Sequence, residues 1–444
     1  MKTIIKFEKE NRSIRKLILL YILLVHLLYL HYFKETFLTS YNSLLFQYKF
    51  SLEKYIFCLF ETLCIYCYTI DKIKLQRMTE TIVFFLNLMY FIPGVVQQAV
   101  TNADWGFMIY YFIFWIGMMC WTKILKPHKA SLLGQVFTTY EPRKYMLFMT
   151  GTALGVTLFM SIYMKRFLSL SSIIGTLSDV YGVRAEATEK SVHWILTNFE
   201  YWAAYFMVAA IAYFTERKRW IVVFILIIGE LAIFVLQGNR IILFLTLVAL
   251  ATGLLKIDNR RLVVCLVLVL FISLIEVNIK QTGFIVTDTF RRFTVVPNRL
   301  AEQYYDYFLT HVPDFLRSFS DRIVKLAGIH SPYYSPSIGR IIGQEYYGSV
   351  MGANTGLVGG GTFCFGIAGP IISTFGYIYA FRMFERATYS LKSSKMIMTI
   401  SLFLSSIVIN MPALLKGIFS LSYIMMLYLS MIPLSRSCLY RNGD

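Results

Sequence analysis

Stretches of roughly 20 mostly apolar residues recur from one end of this chain to the other, each closed by a short charged cluster. Inside a bilayer no water bonds a bare peptide group, so a run of that length must close its own hydrogen bonds as a helix. The runs fall at 17–33, 54–70, 80–100, 105–121, 144–163, 194–214, 220–237, 241–255, 262–278, 354–378, 396–411 and 413–433, which makes about twelve spans. The run at 241–255 is short enough to be tilted, partly immersed or re-entrant. With 57% hydrophobic and only 15% charged residues, the chain lies outside the range of water-soluble domains, and a soluble enzyme is set aside. The expected fold class is an all-α polytopic integral membrane protein, a single transmembrane domain over 1–444 with neither an internal repeat nor a separate soluble domain.

The formal net charge of +18 is spread over short clusters between the runs, namely DKIKLQR, TKILKPHK with EPRK, ERKR, KIDNRR, FRMFERATYSLKSSK and SRSCLYRNGD. Placing both termini in the cytoplasm puts all of these on one side, as the bias of basic loops toward that side requires. No basic face or tail remains for nucleic acid. The basic N-terminus before 17–33 resembles a signal peptide, but the run is long and no small-x-small site follows it, so an uncleaved first span is expected. None of the seven cysteines lies in the main polar loop at 279–353, and Cys64-Ile-Tyr-Cys67 sits inside a span, so no disulfide framework is read. The opposite face receives 34–53, the turn at 101–104, a first large loop at 164–193, the turn at 237–240 and the main loop at 279–353.

That main loop opens the longest polar interval, Lys280 to Gly369, and chemistry is expected there. Within it Leu300, Tyr304, Phe308 and Val312 recur at i+4 after Pro297, the pattern of an amphipathic helix suited to the outer interface. Basic residues on the outer side run against the topological bias and call for anionic partners. Arg184, Arg291, Arg292, Arg299 and Arg340 are candidate anion ligands on that ground, with solvated salt bridges as the plainer account. Arg240 follows Gln237-Gly238-Asn239 at the membrane boundary, where an arginine either snorkels to the interface or meets protein, water or an anionic ligand. Its planar fork suits phosphate oxygens. For a general base the loop offers Asp306, His330, Glu345 and Asp288, and spacing does not choose among them. Glu61 and Glu230 lie inside spans, where acids serve as ion-pair partners or proton relays. The glycines from 352 to 369 lack the Gly-Lys-Ser/Thr ending of a phosphate loop, so close helix packing is the expected use. No metal-ligand spacing appears in the outer loops.

The turn QGNR leading into IILFLTLVAL, the outer Tyr181-Gly-Val-Arg184, the loop RRFTVVPNRLAEQYYDYF and the re-entry GANTGLVGGGTFCFGIAGP together resemble the Wzy-type O-antigen and oligosaccharide repeat-unit polymerases. The likeness covers most of the chain in layout and only these short segments in sequence. It implies a GT-C-like glycosyltransferase of the bacterial inner membrane whose active site faces the periplasm. Donor and acceptor would be undecaprenyl-pyrophosphate-linked oligosaccharides, with no cofactor, no metal and a separate chain-length regulator as partner. On this resemblance Arg240, Arg184 and Arg291 match the arginines assigned to the donor pyrophosphate. Asn354 matches an asparagine that orients a sugar or phosphate, and the base stays open among His330, Glu345 and Asp306. An O-antigen ligase shares the span count, donor and outer arginines, whereas a repeat-unit flippase would need polar spans and a two-fold repeat.

Overall fold

The computed structural model describes residues 2–31, 48–72, 77–126, 142–179, 183, 194–255, 259–280, 285–315, 328, 333, 337–348, 353–388, 393–410 and 423–436. Every regular element among them is helical. In chain order these are α1 (Lys2–Leu27), α2 (Leu52–Lys72), α3 (Met78–Leu86), α4 (Ile92–Val100), α5 (Trp105–Ile124), α6 (Pro142–Tyr163), α7 (Leu170–Ser178), α8 (Trp194–Glu216) and α9 (Trp220–Gln237). There follow α10 (Arg240–Leu254), α11 (Asn259–Lys280), α12 (Val296–Thr310), α13 (Ile338–Tyr347), α14 (Gly356–Phe365), α15 (Gly369–Thr388), α16 (Ser394–Asn410) and α17 (Tyr423–Arg436).

Seven helical stretches among the described residues are long and apolar enough to cross a membrane: Ser13–His31, Met78–Val100, Trp105–Ile124, Arg143–Tyr163, Ile195–Glu216, Trp220–Gln237 and Gly356–Thr388. Three shorter apolar helices occupy Arg240–Leu254, Ser394–Asn410 and Tyr423–Pro433. The outward faces match this reading, since Leu23, Phe148, Leu158, Ile221, Phe224 and Leu247 each expose more than half of their surface. In water each such side chain forgoes about 1.5–3 kcal/mol of burial, a loss that lipid tails remove.

The chain packs as two units. The first comprises Met1–Lys126, Asp258–Phe381 and Leu404–Lys416. Its short 101–104 turn is specified residue by residue. Asn102 takes the left-handed conformation, Asp104 caps α5 by accepting from the Gly106 N–H at 2.7 Å, and the Lys54 ammonium donates to Asn102 Oδ1 at 2.7 Å and Ala103 O at 2.5 Å. Lysine at a helix C-terminus also complements the helix dipole, so α2 is tied to the end of α4. The second unit comprises Pro127–Ile257, Arg382–Phe403 and Gly417–Asp444, and packs α8 against α6, α9, α10 and α17.

Two expectations change. The span expected at 354–378 falls almost wholly within the helical stretch Gly356–Thr388 but is interrupted inside it. Gly366 takes φ +54° against the Pro313 ring and opens a 3-10 turn, Gly366–Ala368, and α15 then carries Pro370 as its second residue, which has no N–H to continue a ladder. Side chain and backbone meet the freed groups, with Tyr110 donating to Gly366 O at 3.0 Å and the Asp314 N–H to Phe363 O at 2.9 Å. The apolar stripe of α12 is also covered by protein and not by the lipid interface: Leu300, Tyr304 and Phe308 are buried against α13 and α14. Val312 lies beyond the helix end and is 79% exposed.

Candidate functional site

The face of α12 opposite that stripe carries Arg299, Glu302, Gln303 and Asp306, spaced so that all four line one side of the helix. Packing fixes the helix at close range. Tyr304 lies over Gly359 of α14, where an added Cβ would stand 3.2 Å from its ring, and its hydroxyl donates to Ala353 O at 3.1 Å. The Ala353 N–H in turn donates to Gly339 O at 2.9 Å, so α12, α13 and the entry to α14 converge beside Asn354. Glycine is required at 339 as well, because a Cβ there would sit 2.7 Å from the Ala353 carbonyl oxygen.

On the polar face Arg299 forms an ion pair with Glu302, one helical turn on. Asp306 keeps solvent contact, yet its carboxyl is raised to about 6. Burial is the main cause, Glu302 adds to it, Arg299 pulls the other way and Asp104 raises it further. From α13, Tyr346 lies within the fields of Asp306, Glu345, Arg299 and Glu302, and Tyr347 stands beside the buried Gln303 amide. Tyr305 extends the same surface toward the 101–104 turn, its ring tilted against Phe107 at 5.5 Å and Tyr110 at 5.0 Å. Since Glu302 neutralises Arg299, what faces solvent is an acidic, tyrosine-rich surface formed by Asp104, Asp306 and Glu345. A carboxylate with a pKa near 6 is mostly ionised at neutral pH and still basic enough to accept a proton from an attacking hydroxyl.

Of the residues picked out by sequence, the structure brings Arg299, Asp306 and Glu345 to this surface, with Asn354 exposed at the nearby re-entry. Arg340 is exposed in the first turn of α13. Arg291 and Arg292 lie on the π-helical segment Ile285–Val295 that leads into α12, the first buried and the second exposed. Arg240 belongs to the second unit, where it is the exposed first residue of α10, Gly238 closes α9 in the left-handed conformation and Asn239 caps Ile241 at 3.3 Å. Arg184 and His330 lie outside the described residues, as does the side chain of Asp288.

Sequence reasoning passed over Glu200, a 7% exposed acid of α8 that lies against the Gln237 amide in the second unit. Its signal was available: it is a lone acid in the run 194–214, as Glu230 is in 220–237. The glycines of α14 serve packing, Gly359 against Tyr304 and Gly361 against Phe114 and Ser373. No protein-family model, curated protein or solved structure matches this chain.

Proposed function

We propose that this protein is a repeat-unit polymerase, a GT-C-like glycosyltransferase of about twelve spans acting at the periplasmic face of the bacterial inner membrane. The observation that carries the reading is Asp306, a carboxylate tuned to about 6 on a polar helix beside the apolar spans. In the reaction the acceptor sugar's hydroxyl oxygen attacks the anomeric carbon of the donor glycan. The bond to the diphosphate oxygen breaks, undecaprenyl diphosphate departs with the electron pair, and the hydroxyl proton passes to Asp306. A diphosphate leaves without a general acid, so one base suffices and the single displacement inverts the anomeric centre.

The acidity around Asp306 suits an uncharged acceptor hydroxyl and repels a diphosphate, which favours α12 as the acceptor's side. Arg299, neutralised by Glu302, then tunes Asp306 instead of holding phosphate. Donor diphosphate binding remains with Arg240, Arg184 and Arg291 on the family resemblance, because arginines at that leaving group stabilise the negative charge it gains. The pyrophosphate linkage supplies the energy, so no cofactor is needed. A flippase is the second reading, favoured by the helix break at Gly366 and by the fully buried Glu61 and Glu230.

The test is the surface-glycan banding pattern of cells lacking the gene and then given wild type, Asp306→Asn or Arg240→Ala. Deletion is expected to collapse the ladder to core plus one repeat unit, and wild type to restore it. Both variants should insert and leave the ladder collapsed, Asp306→Asn through a loss of about 10²–10⁴ in rate. Core alone would instead indicate a ligase if long polymer waits on its carrier, or a flippase if single units stay on the cytoplasmic leaflet. An unchanged ladder after deletion would remove all three readings.

A further inference from the structure

Two segments of the first unit are built alike. Each runs as a π-helical stretch into an α-helix that carries proline in its first turn: Asn87–Phe91 into α4 with Pro93, and Ile285–Val295 into α12 with Pro297. Proline lacks an N–H and a π turn offsets the bonding frame, so carbonyls at such a seam need donors from elsewhere. At the first seam Leu88 O accepts from the Tyr21 hydroxyl at 2.6 Å. Tyr90 O accepts from the Tyr111 hydroxyl at 3.1 Å and from Asn298 Nδ2 at 3.2 Å. At the second seam Val295 O accepts from Gln97 Nε2 at 3.1 Å.

The bonding is reciprocal. A side chain of α4 reaches the seam that precedes α12, and a side chain of α12 reaches the seam that precedes α4. Asn298 is fully engaged: its Oδ1, 2.7 Å from the Tyr111 hydroxyl, shares that single proton with Tyr90 O, and its Nδ2 donates to Thr294 O at 2.7 Å as well. Gly94 makes the approach possible, since a Cβ there would stand 2.5 Å from Asn298 Oδ1 and closer still to the Tyr111 hydroxyl. Asn298 and Gln97 are both buried, so losing either partner strands a polar group away from water. Asp306 lies eight residues beyond Asn298 on the same helix, about 12 Å along its axis, and Arg299 is the next residue.

We infer that Asn298 and Gln97 are positioning residues that fix the rotation and depth of α12, and through it the placement of Asp306 toward the acceptor hydroxyl, an inference that rests on the polymerase reading above. They touch no substrate. Their effect passes through the helix: a shift of about 1 Å in a reacting group is enough to cost on the order of 10²-fold in rate.

The experiment uses the full-length protein in lipid nanodiscs, as wild type, Asn298→Ala and the milder Gln97→Met, which keeps the volume and removes the donor. Hydrogen exchange over 296–310 is expected to quicken about tenfold in both variants while α8 and α9 stay unchanged. With a purified lipid-linked repeat unit, kcat should fall about 10- to 100-fold and KM should stay within about twofold. Unchanged exchange in Gln97→Met overturns the reciprocal bonding as a restraint. Faster exchange with wild-type kcat, or a loss confined to KM, overturns the positioning role. If wild type makes no polymer, the polymerase reading fails separately, and the exchange result still decides whether these two residues hold α12.

Discussion

Asp306 owes its raised pKa to burial first and Glu302 second, with Arg299 opposing and Asp104 adding. Because its folded value of about 6 exceeds the ordinary 3.8, folding favours the protonated acid. That contribution is fully present below about 3.8 and is lost as pH rises through 6. Asp306→Asn should therefore raise the unfolding temperature of the purified protein at pH 8 and leave it unchanged near pH 3.5, measured by thermal scans. In the proposed reaction the sign reverses, since a base must be ionised: kcat/KM, which follows the free protein, should climb with pH around a midpoint near 6. Glu302→Gln removes a raising charge and frees Arg299, so the midpoint should fall, whereas Arg299→Ala should lift it. A midpoint indifferent to both would separate Asp306 from the titration. Sequence named Asp306 without choosing it from His330 and Glu345, because spacing reports neither burial nor a neighbour such as Asp104 some 200 positions earlier. Asn298 and Gln97 were invisible for the same reason, as each acquires its role only from a carbonyl on a distant segment.

At the scale of elements, period and punctuation served well wherever one helix was read alone. The spacing of Leu300, Tyr304 and Phe308 marks the apolar face of α12, although protein and not the lipid interface covers it, and the spans at 105–121 and 220–237 lie within helices Trp105–Ile124 and Trp220–Gln237. Period failed at the seams. Nothing in the sequence of either π-helical segment marks it as π instead of α, and the break at Gly366 depends on Pro313 and Tyr110 arriving from other elements. The packing role of glycine gives a controlled comparison. Gly361 of α14 would place a Cβ 2.9 Å from the Phe114 ring and 2.9 Å from Ser373 Oγ, whereas Gly151 of α6 faces open space. Gly361→Ala should cost about 1–3 kcal/mol by overpacking. Gly151→Ala should gain about 0.5–1 kcal/mol, because alanine loses less chain entropy in a helix. Denaturant titration in detergent of the two variants checks both signs. Equal effects would mean that α14 has room the structure does not give it.

At the scale of the whole molecule, the distribution of charge predicts an orientation that can be tested in each unit by itself. In the second unit the basic end is tied together by side chains: Glu216 accepts from Ser393, Lys395 donates to Gly253 O, and Arg217 stacks 3.6 Å over the Tyr213 ring. Arg382 and Glu385, read from sequence as part of a cytoplasmic basic cluster, form a buried pair at 2.5 Å. The opposite end of that unit gathers Arg166, which donates to Val235 O at 3.4 Å, the capped start of α7 at Ser169, and Arg240. Basic clusters favour the cytoplasmic side, so Lys218 should lie inside and Ser171 outside. In the first unit Gln344, exposed on α13 close to the Asp306 surface, should lie outside as well. With the native cysteines replaced by alanine, a membrane-impermeant maleimide added to intact spheroplasts should label Ser171→Cys and Gln344→Cys at once, and Lys218→Cys only after permeabilisation. Labelling of Lys218→Cys alone would invert the molecule and put Asp306 on the face where lipid-linked units are still being assembled. A periplasmic polymerisation site would then be untenable even if Asp306 titrates as expected, because orientation decides which substrate the carboxylate meets.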